Sequence, residues 1–157
     1  MSKYKIGVIS DTHGLLRHEA LEMLKGVEMI IHAGDVGDPE ILQKLKEIAP
    51  VVAVRGNCDK GEWAYKLNKT EVIKLGEVLI YVIHNINDID IDLEAAGFNI
   101  VVSGHSHKPL NIEDNGILFL NPGSIGPRRF NLPISMGILN INKEKVNANL
   151  IELDSNI

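Results

Sequence analysis

The chain has 157 residues, 45% of them apolar and 24% charged, with a formal net charge of −5. That size suits one domain spanning residues 1–157, and the supply of Ile, Leu and Val excludes a disordered chain. One cysteine excludes an internal disulfide framework, the negative balance argues against a broad nucleic-acid-binding surface, and no apolar run approaches the roughly 20 residues of a membrane-spanning helix.

"YKIGVIS" (4–10) is a β-rich apolar run ending at Asp11, and "LLRHEALEMLKG" (15–26) follows with helical spacing and Gly26 to stop it. "VEMIIHAGD" is a second strand. "DPEILQKLKEIAP" is a second helix, with Asp38 as cap, Pro39 in the first turn and Ile41, Leu42, Leu45 and Ile48 as one stripe. "PVVAVRGN" is a third strand. This β-α-β-α-β order implies a largely parallel sheet. The second half reads as antiparallel-rich: two strands around Leu75-Gly76-Glu77, a short helix in "DIDLEAAG", a strand in "FNIVVSG", a hairpin turning at Asp114-Asn115-Gly116, and a final hairpin in "ISMGILNINKEKVNANLIEL". It predicts a second sheet packed against the first.

Each apolar run ends in a residue of metal-binding type: Asp11 and His13, Asp35, Asn57, His84, then His105 and His107. Sites in open α/β sheets form beyond the carboxyl ends of strands. In an extended segment, residues at i and i+2 point the same way, so Asp11/His13 and His105/His107 can each converge on one cavity. Glycines before Asp35, Asn57 and His105 permit close backbone approach. Imidazole, carboxylate and amide oxygen together suit first-row divalent metals. Seven ligands are too many for one tetrahedral ion and fit two ions sharing a bridge, for which either aspartate is suitable. Two divalent ions, two carboxylates and one bridging hydroxide leave a single positive charge, matched to a phosphodiester anion.

The ordered set "SDTHG" (10–14), "HAGD" (32–35), "GNCD" (56–59), "VIHN" (82–85) and "GHSH" (104–107), with "NPGS" (121–124), resembles the calcineurin-like metallophosphoesterases, and in particular their small bacterial and archaeal phosphodiesterase branch. The resemblance covers nearly the whole chain. It implies an α/β fold of two packed mixed β-sheets, a sandwich flanked by α-helices. It implies one metal at Asp11, His13, Asp35 and His107 and a second at Asp35, Asn57, His84 and His105, so that Asp35 is the bridge. Manganese or nickel is the expected pair of ions, with zinc or iron as substitutes. The implied activity is hydrolysis of a phosphate ester by in-line attack of a bridging hydroxide, with Asp35 and Asn57 as the catalytic residues. A small phosphodiester or nucleotide-type substrate, a cytoplasmic location, a possible homo-oligomer and no stable nucleic-acid partner complete the expectation. Two departures stand out: Cys58 occupies a position where many related phosphatases have histidine, and Asn85-Ile86 replaces the usual Gly-His.

Other residues invite weaker readings. Cys58, with no flanking base, reads as a small packed side chain pointing away from the Asn57 side. Asp59 is a partner for a ligand histidine or a loop cap; Asn121, Ser124 and Arg128 are candidates for the rim of a substrate site. His32 reads as a strand-end residue and His18 as a helix-surface residue. "DIDID" (88–92) imitates a calcium-loop start but has Leu93 at position six and Asn99 at position twelve. The competing function is a non-catalytic interaction module on the same fold, as in a retromer-coat relative whose site residues are eroded. A (β/α)₈ amidohydrolase is excluded by length.

Overall fold

The computed structural model describes residues 3–153, so the first two and last four positions of the expected domain lie outside it. The strands are β1 (Lys3–Ile9), β2 (Met29–His32), β3 (Val51–Ala53), β4 (Thr70–Leu75), β5 (Val78–Ile83), β6 (Ile100–Val102), β7 (Leu110–Asp114), β8 (Ile117–Asn121), β9 (Ser135–Asn142) and β10 (Lys145–Glu152). The helices are α1 (His18–Met23), α2 (Pro39–Lys46), α3 (Glu62–Tyr65) and α4 (Leu93–Ala96). They build two five-stranded sheets, ordered β10-β9-β1-β2-β3 and β4-β5-β6-β8-β7. Both are mixed, as the resemblance implies.

Local chemistry accounts for the element ends. Asp38 accepts a hydrogen bond from Glu40 N–H at 2.9 Å and Pro39 opens α2. Asp92 caps α4, and Gly97 at φ 82° ends it in the left-handed region. Asn115 and Gly116, both at positive φ, turn β7 into β8.

The pairing departs from expectation in two respects. The final hairpin does not enter the second sheet; β9 pairs antiparallel with β1, from Lys3↔Asn142 to Val8↔Gly137. The second sheet is also less antiparallel than expected, because β5, β6 and β8 run parallel. The reason lies in burial. Met136 and Ile138 pack toward the helices while Leu139 and Ile141 pack between the sheets, so β9 is covered on both faces and belongs in the interior of a sheet.

The inter-sheet core holds Ile6, Val8, Ile31, Ile80, Val82, Ile100 and Leu120. A second apolar layer seats α1 and α2 on the first sheet, through Ile9, Leu24, Ile30 and Leu45. Each such side chain contributes about 1.5–3 kcal/mol on burial. A smaller cluster of Tyr81, Ile83, Phe98, Val101 and Ile117 covers the outer face of the second sheet. This frame brings the carboxyl ends of β1, β2, β3, β5, β6 and β8 to one edge of the sandwich.

Candidate metal centre

All seven ligand-type residues meet at that edge. Asp35 Oδ2 lies 3.6 Å from His13 Nε2 and 3.2 Å from His84 Nε2. Asp11 Oδ1 lies 3.7 Å from His13 Nε2, 3.4 Å from His107 Nε2 and 4.0 Å from His84 Nε2. Asn57 Oδ1 lies 3.0 Å from His84 Nε2 and 3.2 Å from His105 Nδ1. These are the spacings of atoms sharing a coordination sphere. Bonds of about 2.0–2.2 Å place ligands of one ion about 3–3.6 Å apart when adjacent and up to about 4.4 Å apart when opposite.

The two carboxylates are prepared alike. Ser10 Oγ and the His105 N–H donate to Asp11 Oδ2, at 2.6 and 3.2 Å, and the Cys58 N–H donates to Asp35 Oδ1 at 2.8 Å. In each case the other oxygen faces imidazoles. His84 is fixed from behind: its Nδ1 sits 2.7 Å from the Ala33 carbonyl, which only accepts, so Nδ1 carries the proton and Nε2 faces the cluster. Among the described residues, the buried atoms Asp11 Oδ1, His13 Nε2 and His107 Nδ1 lack a hydrogen-bond partner. Unpartnered buried polar atoms are costly, and two of these three converge where a cation would satisfy them. Sets of ligand atoms within 4.8 Å of one another include Asp11, His13 and His107, and Asp11, Asp35 and His84. The residues fit a pair of divalent ions.

Charge follows the same logic. Burial pushes the Asp11 carboxyl up, but His107, His13 and Ser10 outweigh it and hold Asp11 far below the usual range. Burial likewise opposes ionisation of Asp35, and His84 with the Cys58 N–H overcomes it. His84 is itself raised: desolvation lowers it, and Asp35 and Asp11 more than compensate.

The backbone is where the sequence reading fails. Asp11, His13, Asp35, His105 and His107 all have positive φ, between 46° and 69°. They are not extended pairs; each turns the chain sharply at a strand end. Asp and His tolerate this region better than most residues, at a cost of about 1–3 kcal/mol each. The turns are held by Asp11 N–H to Gly34 O and His13 N–H to Asp35 O, both 2.9 Å.

Cys58 also departs from expectation. Residues 57 and 58 form a turn, not an extended segment, so Cys58 is exposed and its Sγ shares a 4.8 Å cluster with His13 and Asp35. Partial burial and the Asp35 carboxylate push its thiol up, which disfavours a nucleophilic thiolate. Asp59 touches no histidine. It accepts from the Val36, Gly37 and Gly56 N–H groups and ties two site loops together. Asn121 donates to Gly104 O and Ser106 Oγ, and Ser124 donates to Asp11 O; both are buried supports of the site loops and not rim residues. Arg128 Nη1 donates to Leu132 O within its own loop. The sequence reading also missed Ser10 and Thr12, whose only signal was their place beside Asp11.

His32 closes a buried chain. Its Nδ1 accepts from the Gly34 N–H, so Nε2 donates to Thr12 Oγ1, and Thr12 donates to Val36 O. Burial pushes this imidazole from 6.5 down to about 4. Between those values the unfolded chain holds the extra proton, so the stability is present above pH 6.5 and is lost as pH falls toward 4. Urea unfolding of metal-free protein is expected to show about 2 kcal/mol more loss between pH 6.5 and 5 for wild type than for His32→Gln. Parallel pH slopes would refute this assignment.

A family model described as a calcineurin-like phosphoesterase superfamily domain matches residues 4–144. A probable metallophosphoesterase of Methanocaldococcus jannaschii is 40% identical over 134 residues, covering 76% of this chain and 67% of the relative. A phosphodiesterase of the same organism is 25% identical, covering 94% and 99%. The crystal structure of wild-type Vps29 complexed with Zn²⁺ from Entamoeba histolytica superposes with a TM-score of 0.74 at 26% identity, covering 94% and 98%. With the family's divalent-metal chemistry met by residues that fit it, the chain belongs to the calcineurin-like phosphoesterase superfamily.

Proposed function

We propose that this chain is a divalent-metal-dependent phosphodiesterase, cytoplasmic and acting as one domain on a small phosphodiester or nucleotide-type substrate. The observation that carries this is Asp35 Oδ2, 3.6 Å from His13 Nε2 and 3.2 Å from His84 Nε2, where it would be able to bridge two ligand sets. Asp11, His13, Asp35 and His107 would hold one ion, and Asp35, Asn57, His84 and His105 the other; manganese or nickel suits these donors, as do zinc and iron. When bound, the pair supplies a nucleophilic hydroxide near neutral pH for in-line attack and neutralises charge on the phosphate.

The chain's own residues do the rest. Ser10, the Ala33 carbonyl and the backbone of Cys58 and His105 orient the ligand atoms in advance, so little reorganisation is needed at reaction. Asn57 is exposed at the mouth and offers a neutral amide N–H beside its ligating oxygen. The chain has six histidines; four are in the cluster, His32 is sealed behind Thr12, and His18 pairs with Glu22 on the surface of α1. With no imidazole left over to protonate a departing alkoxide, esters with acidic leaving groups are the better substrates. Every ligand position is filled here, which favours the enzyme; the interaction-module alternative is compatible with bound metal, as in the Zn²⁺ complex of the Vps29 relative, but predicts no turnover. Among the described residues no helix is long and apolar enough to cross a membrane.

Purified protein is expected to hydrolyse bis(4-nitrophenyl) phosphate with added Mn²⁺ or Ni²⁺ and to stop on chelation. His107→Ala is expected to lower kcat/KM by more than about tenfold. Turnover indifferent to chelator, or no turnover with any of these metals, would reject the reading.

A further inference from the structure

A cavity of about 640 Å³ opens beside the metal centre, sharing Asn57 and His84 with it. This is the size of a small-molecule site. Its floor is the outer face of the β4–β5 pair, where Thr70 lies opposite Ile83 and Val72 opposite Tyr81. Phe98 stands edge-on to the Tyr81 ring at 5.1 Å and completes an aromatic corner. Apolar side chains of this kind belong in the core, yet Val72 is 56% exposed here. Asp88 and Asp90, from the stretch that only imitates a calcium loop, also line it, together with Arg55 and Lys69.

The geometry points to this cavity as the seat of a nucleoside arm of the substrate, a reading that rests on the phosphodiesterase function proposed above. Three features select that chemistry. The cavity is continuous with the ligand atoms, so a group seated in it is joined to a phosphate held at the metal centre. Its apolar floor, exposed Val72 beside Thr70 and Ile83 over the largely buried Tyr81–Phe98 pair, suits the flat face of a base. Its two carboxylates can accept hydrogen bonds from sugar hydroxyls, and with two cations also on the lining the charge is balanced. A balanced lining favours an uncharged, hydroxylated arm over a second phosphate, and a lipid chain would leave both carboxylates without donors.

The test is calorimetry on the Mn²⁺-loaded full chain with uridine 5′-monophosphate, whose ribose offers two free hydroxyls, and methyl phosphate. The nucleotide is expected to bind at least about fivefold tighter and to shift the Tyr81 and Phe98 ring resonances in metal-free protein, where methyl phosphate does not. Val72→Glu, at an exposed strand position that tolerates a carboxylate, is expected to erase the preference, and Val72→Ile to keep it. Equal affinity for the two ligands, or a preference untouched by Val72→Glu, overturns the inference whatever the enzyme's turnover. Nucleotide preference in a protein inactive on bis(4-nitrophenyl) phosphate supports the cavity assignment while rejecting the function above.

Discussion

Asp35→Ala is expected to lower phosphodiester kcat/KM by more than about 100-fold and to abolish the rise in Tm that Mn²⁺ gives the wild type. The magnitude follows from what the residue touches. Partners that merely orient a metal ligand cost 10–100-fold when removed, and Asp35 Oδ2 faces both halves of the cluster. The thermal readout does not depend on catalysis. An ion that binds only the folded chain stabilises it by about 2.7 kcal/mol at a hundredfold excess over its Kd. His107→Ala removes a residue from one half only, so it should retain one tightly held ion per chain where Asp35→Ala retains neither. Metal content after dialysis separates the two. Asp35→Asn distinguishes charge from shape, since it keeps an acceptor for the Cys58 N–H at the Asp35 side chain. Two ions retained by Asp35→Ala, or activity within tenfold of wild type, would remove the bridging role.

Much of this centre was legible in the sequence because its signal is chemical and ordered along the chain. An apolar run that ends in Asp, Asn or His marks a strand delivering a polar group to a sheet edge, and five such ends were visible before any geometry. What was not legible was conformational or non-local. The expectation that Asp11/His13 and His105/His107 are extended pairs was reasonable from spacing alone, but the chain turns at each of them, and only the flanking loops determine that. Cys58 followed the same error, since the turn at 57–58 brings its sulfur to the side it was expected to avoid. The membership of β9 in the first sheet depends on a partner strand at the far end of the sequence, paired from Lys3↔Asn142 to Val8↔Gly137. "SMGILNIN" carried the clue in its run Met136-Gly137-Ile138-Leu139, apolar on consecutive positions and so on both faces, which marks an interior strand rather than an edge hairpin. Asp59 looked like a partner for histidine because it is an acid near ligands; the three backbone N–H groups that claim it belong to two separate loops.

Those loops make the glycines before the ligands as consequential as the ligands. Gly56→Ala is expected to lower kcat/KM by at least about 100-fold and to destabilise the fold by about 1–3 kcal/mol. A Cβ at Gly56 would overlap the Asp35 backbone nitrogen and Oδ1, and would stand 2.8 Å from its Cγ. Neither can yield freely. The Asp35 backbone is already turned at φ 57°, and the Gly56 N–H is held by Asp59 at 2.9 Å. The carboxylate would therefore be displaced, and a shift of about 1 Å in a reacting assembly costs about 100-fold. Gly116→Ala is the control. Gly116 has φ 79° with nothing within 4 Å of an added Cβ, in the β7–β8 turn at the opposite end of β8 from the site edge. It should cost about 1–2 kcal/mol through backbone strain alone and leave kcat/KM unchanged. Urea midpoints and kcat/KM measured on both variants separate strain from displacement. If Gly56→Ala loses stability but keeps wild-type kcat/KM, then the Asp35 carboxylate has freedom that the close approach of these loops denies it, and the pre-organisation ascribed to the centre is wrong.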